Sequence, residues 1–218
     1  MKFDNQRNQM VESQLRANLV IDESILEAFR SVQREKYFPE DLQSVSYIDD
    51  TIYLNKTRFV LRPFVLGKLI SNLNLGADKN VLDVGSSNGY SVAILAKLFK
   101  KVTCIEEDDT IFDSLGDICK EQKLQNVKII KQNFLSIELS KDSFDNILVN
   151  GEINSDPLNL INSLKIGGKL VAIFRQDSVS YAVTYLKNNK NTYDKIRTFD
   201  ASASLLINYK SKDPVFSF

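Results

Sequence analysis

The chain reads as an α/β protein: a doubly wound, mostly parallel sheet preceded by an N-terminal helical cap. Three observations predict this. From residue 80 onward short apolar segments alternate with helix-length ones, a strand, a glycine turn and a helix start follow one another at Val81–Ser91, and residues 6–33 carry apolar positions three or four apart. Strands separated by helices of this size run parallel, with right-handed crossovers and helices covering both faces.

Met10, Leu15, Leu19, Ile21, Ile25, Leu26, Ala28, Phe29 and Val32 keep helical spacing and predict two amphipathic helices. Asp22 precedes the second as its N-cap, where a carboxylate can accept from the first free N–H groups. Pro39 and the run Ser46–Asp50 read as loop, and Pro63 opens a helix over Phe64–Leu73 because a proline suits a first turn. Strands are predicted at Asn80–Val84, Val102–Ile105, Val127–Ile130, Phe144–Val149 and Lys169–Phe174, with helices at Ser91–Phe99, Thr110–Lys123 and Leu158–Leu164. Tyr181–Leu186 is expected to be helical, and the tail Tyr193–Phe218, rich in β-formers, to add antiparallel strands at one edge and to end in a docked strand over 213–218. No repeat or Gly/Ser linker interrupts the pattern. Residues 1–218 are therefore expected to form one domain, with 1–75 as cap and substrate-side segment and 76–218 as core.

Composition excludes several function classes. Twenty-eight basic residues balance 28 acidic ones, so no overall field favours nucleic acid or an anionic membrane. Apolar runs such as Val171–Phe174 are too short to span a bilayer, and Met1–Gln6 lacks the apolar core of a signal peptide, so a cytoplasmic protein is expected. There is no histidine, which removes the commonest general base, the usual catalytic triads and most zinc sites. Cys104 and Cys119 form no CxxC pair and read as reduced packing residues, with no metal site expected. Tyr37, Phe38, Phe59 and Phe64 read as cap packing, and Lys100–Lys101 as a solvated helix end.

The chemistry concentrates at Val81-Leu82-Asp83-Val84-Gly85-Ser86-Ser87-Asn88-Gly89-Tyr90-Ser91. Open α/β sheets bind ligands beyond the carboxyl ends of their strands. Gly85 permits a sharp turn, Gly89 a close approach of backbone, and Asp83 sets a carboxylate where a cationic ligand group would sit. The bland alternative is an ordinary strand–helix corner with two turn glycines. Glu106, twenty-one residues beyond Gly85 and followed by Glu107, ends the next strand, where an acid suits the two hydroxyls of a ribose. A dinucleotide fingerprint would want glycine at the third and sixth loop positions, yet these are Ser87 and Tyr90. S-adenosylmethionine carries no phosphate, and its ammonium and sulfonium suit Asp83 and a serine-lined turn.

Val81–Gly89 with Glu106 resemble the first motifs of class I S-adenosylmethionine-dependent methyltransferases. Met10-Val11-Glu12-Ser13-Gln14-Leu15-Arg16, Ile25–Phe29 and Arg34-Glu35-Lys36-Tyr37-Phe38-Pro39-Glu40 resemble the opening helices of protein-L-isoaspartate O-methyltransferases, and Phe144–Val149 and Leu164–Val171 that family's later strand regions. The likeness covers about residues 9–175. It implies a seven-stranded, Rossmann-like core, S-adenosylmethionine as methyl donor with S-adenosylhomocysteine as product, and a polypeptide partner carrying an isoaspartyl or other carboxylate, acted on by a monomer. Carried over by position, it implies that Asp83, Gly85, Ser86, Gly89 and Tyr90 surround the methionine portion, with Asn88, Glu107 and Asn150 also among the cofactor-binding residues. Glu106 would then hold the ribose, and Asn133 and Phe134 lie near the adenine. The chain departs from the family twice: Leu61 replaces the serine of its Thr-Ile-Ser-x-Pro stretch, and Asn150-Gly151-Glu152 replaces Thr-Ala-Ala.

A carboxylate is ionised at neutral pH and needs no base to attack a sulfonium methyl, so a chain without histidine is compatible with carboxyl methylation. Arg58 and Arg62 flank Leu61, and one of them is expected to face the cleft as a carboxylate-binding fork, against the bland reading of two solvated charges. No catalytic residue is assigned. The expected function is isoaspartyl carboxyl methylation in protein repair. The alternatives are a cofactor-binding protein of the same fold without the activity, or a methyltransferase with another substrate.

Overall fold

In the computed structural model, which describes residues 2–207, β3 (Gly76–Val84), β4 (Phe99–Glu106), β5 (Val127–Lys131), β6 (Phe144–Ile153), β7 (Leu164–Gln176), β8 (Val179–Lys187) and β9 (Tyr193–Asp200) form one sheet. Its order is β5-β4-β3-β6-β7-β8-β9, parallel through β7 and antiparallel beyond. A short eighth strand, β10 (Leu205–Ile207), pairs with the end of β6. The alternation of strand and helix thus produces the sheet its spacing predicts, and β9 adds the expected antiparallel edge, whereas β10 departs from that expectation by pairing parallel to β6, away from the edge. Two strands too short to register in the sequence, β1 (Ile52–Tyr53) and β2 (Phe59–Val60), make a separate hairpin.

Each face of the sheet is covered by its own core. On one lie the cap helices α1 (Lys2–Met10), α2 (Glu23–Ser31) and α3 (Pro63–Ser71) with α4 (Tyr90–Leu98), joined through Leu15, Ile25, Phe29, Leu66 and Tyr90. On the other, Leu82, Ile105, Ile147, Leu170 and Tyr185 pack beneath α6 (Leu158–Ser163). Asp22 caps α2 as expected, accepting from Ser24 N at 2.8 Å and Ile25 N at 3.4 Å. Leu19 and Ile21 do not continue the buried stripe: both are 75 % exposed, in the turn between the helices, where Leu19 takes a positive φ of 66°. Cys104 is buried core, and the expectation of a docked strand over 213–218 falls outside the described residues.

Two expectations are corrected. Lys100 and Lys101 are exposed, but they open β4 rather than end a helix. Tyr181–Leu186 is not helical; it is the middle of β8, paired antiparallel with β7 across the tight turn Asp177-Ser178, where Asp177 has φ 53°. The deciding periodicity is two: Tyr181, Val183 and Tyr185 pack on one face of the sheet, and Ala182 on the other. β-Branched and aromatic residues that can bury both faces favour that outcome.

β8 is anchored by Lys187, whose buried ammonium donates to Asp142 Oδ1 at 2.9 Å, Asn162 O at 2.9 Å and Leu164 O at 2.5 Å. All three donors are used, which offsets the desolvation of the charge. Lys187→Met strands these acceptors and is expected to lower stability by about 2 kcal/mol in urea denaturation.

Candidate cofactor site

β3 stops at Val84, while its neighbour β6 runs on to Ile153. The polypeptide leaves β3 through Gly85 (φ 72°), passes Ser87 (φ 54°) and enters α4 after Gly89 (φ 82°), three left-handed residues that fold the turn back on the strand end. Gly85 is required for a second reason: a Cβ there would lie 2.5 Å from Leu206 Cδ2.

Asp83 is fully buried at this corner. One oxygen accepts from the Ser91 hydroxyl at 2.7 Å, and the other from the Asn150 amide, which β6 brings alongside. No cation among the described residues reaches it. Burial therefore pushes its carboxyl up to about 7, against the two hydrogen bonds, with nearby Glu106 adding to the rise.

Glu106 ends β4 one strand away, also with no exposed surface. Its Oε1 accepts from Arg58 Nε at 3.0 Å and Nη2 at 2.7 Å, and from the backbone N–H groups of Glu107 at 2.9 Å and Asp108 at 3.1 Å. Its Oε2 is buried with no hydrogen-bond partner among the described residues. Glu107 reaches the same guanidinium at 3.4 Å and accepts from Phe134 N at 3.0 Å, while Arg58 stands 5.4 Å from the Phe134 ring centre. Arg58 is thus buried over the strand end. Arg62 instead is exposed and bonds Asp50 at 3.3 Å, so the bland reading holds for it and fails for Arg58.

The remaining residues separate into two groups. Asp83, Gly85, Ser86, Asn88 and Asn150 converge on the corner, and an amide nitrogen of Asn88 is buried without a partner there. Glu107 and Asn133 line an open cavity of about 640 Å³ beside Arg58. The Asn133 side-chain oxygen is occupied by Leu135 N at 3.0 Å, so it caps a turn. Tyr90 contributes only backbone to the loop: its ring packs edge-on against Phe29 and Tyr37 in the cap, with the buried Arg34 guanidinium 4.5 Å above it. Leu61 is buried in the same cap core, and its carbonyl accepts from Arg34 Nη2 at 3.2 Å.

Two contributors were not evident in the sequence. The hairpin that delivers Arg58 is closed by Leu54 N and Asn55 N bonding Arg58 O at 2.9 and 3.3 Å. The segment 201–207 crosses the strand ends, with β10 taking the edge of β6 that β3 leaves free. It is held there by Glu152, which accepts from Ala203 N at 3.0 Å and pairs with Arg175 at 2.5 Å. The Asn150-Gly151-Glu152 departure, which falls in the last residues of β6, is the sequence signal for this.

The family model described as protein-L-isoaspartate(D-aspartate) O-methyltransferase (PCMT) matches residues 5–202. The chain belongs to the protein-L-isoaspartate O-methyltransferase family. A relative of that name from Aliivibrio fischeri is 30% identical over 174 residues, 80% of this chain and 84% of the relative, and one from Syntrophus aciditrophicus is 31% identical over 170 residues, 78% of each. In fold, the chain is similar to a putative family member from Plasmodium falciparum solved with S-adenosyl-L-homocysteine: TM-score 0.77, 23% identity, 92% of this chain and 98% of the other.

Asp83 gives a measurable signature. A carboxyl raised by folding binds its proton more tightly in the native state, so its contribution is present below about pH 4 and is lost as pH rises through about 7. Asp83→Asn removes that loss. Relative to the parent, the variant is expected to gain stability from pH 4 to pH 8, on the order of 3 kcal/mol, in parallel urea titrations.

Proposed function

We infer that the protein methylates the carboxylate of isoaspartyl residues in damaged polypeptides, with S-adenosylmethionine as methyl donor. The observation that carries the reading is Glu106: a buried carboxylate with an unpartnered oxygen, ending the strand next to the glycine corner, in a chain matched by the family model over 5–202.

The donor set suits the cofactor chemically. Glu106 Oε2 is an acceptor awaiting a hydroxyl, Asp83 is a carboxyl with no cation of its own, and the Asn88 amide is a donor without an acceptor. In this reading Glu106, aided by Glu107, takes the ribose hydroxyls. Asp83 meets the ammonium, which would draw its proton off and leave the carboxylate ionised. Gly85, Ser86, Asn88, Gly89 and Asn150 frame the methionine portion, and Asn133 and Phe134 border the adenine. When bound, S-adenosylmethionine supplies a methyl group already activated on a sulfonium. What remains for the protein is to hold an ionised carboxylate in line and keep water out, which is worth several kcal/mol through lost freedom alone.

Leu61 narrows how this is done. Its side chain is fixed in the cap core and offers no hydroxyl, so the substrate carboxylate is oriented by other groups. No base is required, because a carboxylate of ordinary pKa near 4 is already ionised.

The test is transfer of label from methyl-labelled S-adenosylmethionine to an isoaspartyl peptide, with its normal aspartyl counterpart as control. Base-labile label on the first peptide alone is expected; no label on it from a protein that binds S-adenosylhomocysteine would reject the substrate assignment.

A further inference from the structure

The cofactor corner is roofed, and the roof is pinned at three points. Arg58 holds the hairpin down through Glu106. The Tyr53 hydroxyl lies 2.9 Å from the Ser204 hydroxyl, joining the hairpin to the crossing segment. Leu206 of that segment sits on the Gly85 backbone. Beneath Phe59 and Leu61, the space left next to Gly85, Ser86 and Asn150 is about 10 Å³. That is at most the room of one water. The adenine-side cavity, by contrast, stands open at about 640 Å³.

We propose that Arg58 is a gate on cofactor binding: its guanidinium occupies the ribose seat at Glu106, and the nucleoside enters only when Arg58 and the hairpin leave it. This rests on the reading of Glu106 given under Proposed function. Four N–H groups already converge on Glu106 Oε1, more than its lone pairs serve well, so no ribose hydroxyl can be added there. Oε2 has the capacity, but it is buried under the same roof. The exit for Arg58 is short. Glu107 is 3.4 Å from Nη2 and 30% exposed, so the guanidinium slides from a buried carboxylate to a half-solvated one without ever being left uncompensated. Glu106 meanwhile exchanges one set of donors for another, keeping the two backbone N–H groups. Affinity for the cofactor is then the intrinsic affinity multiplied by the fraction of molecules whose gate is open.

Calorimetry with S-adenosylhomocysteine on the whole protein tests this without relying on turnover. Arg58→Ala is expected to bind about tenfold more tightly than the parent, which corresponds to a parent open about one-tenth of the time or less. Without ligand the same variant is expected to melt lower, because Glu106 loses its partner. Arg58→Gln, which retains a donor but no charge, is expected to shift affinity the same way and decides the matter if the alanine variant does not fold. Equal or weaker binding by variants with a native circular dichroism spectrum overturns the gate and leaves the cofactor assignment standing. No heat from parent and variants alike removes the cofactor assignment, and the gate with it.

Discussion

A carboxylate buried at the end of a parallel strand must be compensated, and most of what surrounds the corner of this sheet follows from the way Glu106 is. Two backbone N–H groups at the turn after β4 supply part of the compensation, and a guanidinium from a distant hairpin supplies the rest. Removing one partner of such a pair costs far more than the pair contributes net, because it leaves the other charge stranded in a poor dielectric. The hairpin 52–60 is too small to be stable alone, since a two-stranded ribbon is marginal in water. It is held by Arg58 at one side and by the crossing segment at the other. Asp83 presents the opposite solution to the same problem: with hydrogen bonds but no cation among the described residues, its carboxyl is pushed up by burial to about 7.

The fold was readable because its signals are local and repeated. Alternating strand and helix lengths, Asp22 before α2, Pro63 at the start of α3 and the glycine turn at Gly85 each act within a few residues, and all agree. Failures occurred where a long-range partner decides. Tyr181–Leu186 has apolar residues at positions compatible with either period, and only pairing against β7 selects the strand. Leu19 and Ile21 extend an apolar run without extending a helix, because the backbone turns left-handed at Leu19.

The site divides in the same way. That Asp83, Gly85 and Glu106 lie together at neighbouring strand ends could be read from strand ends and spacing, since a sheet's topology fixes what its strand ends face. Arg58 could be named from sequence only as one of two arginines flanking Leu61; that it is buried against Glu106 is a contact across 48 positions, for which single-sequence patterns carry no information. Tyr90 shows the converse, a residue next to the loop in sequence whose side chain belongs to another layer, stacked with Arg34, Phe29 and Tyr37. Leu61 likewise departs from the family serine as part of cap packing, its neighbours being apolar.

The placement of β10 carries a consequence for how the molecule matures. It lies parallel to β6 on the edge that β3 vacates, so its partner is complete long before it arrives, with β7, β8 and β9 made in between. In a chain that folds in the order of its synthesis, the glycine corner stays uncovered until β10 docks, and Leu206 comes to rest on Gly85 last.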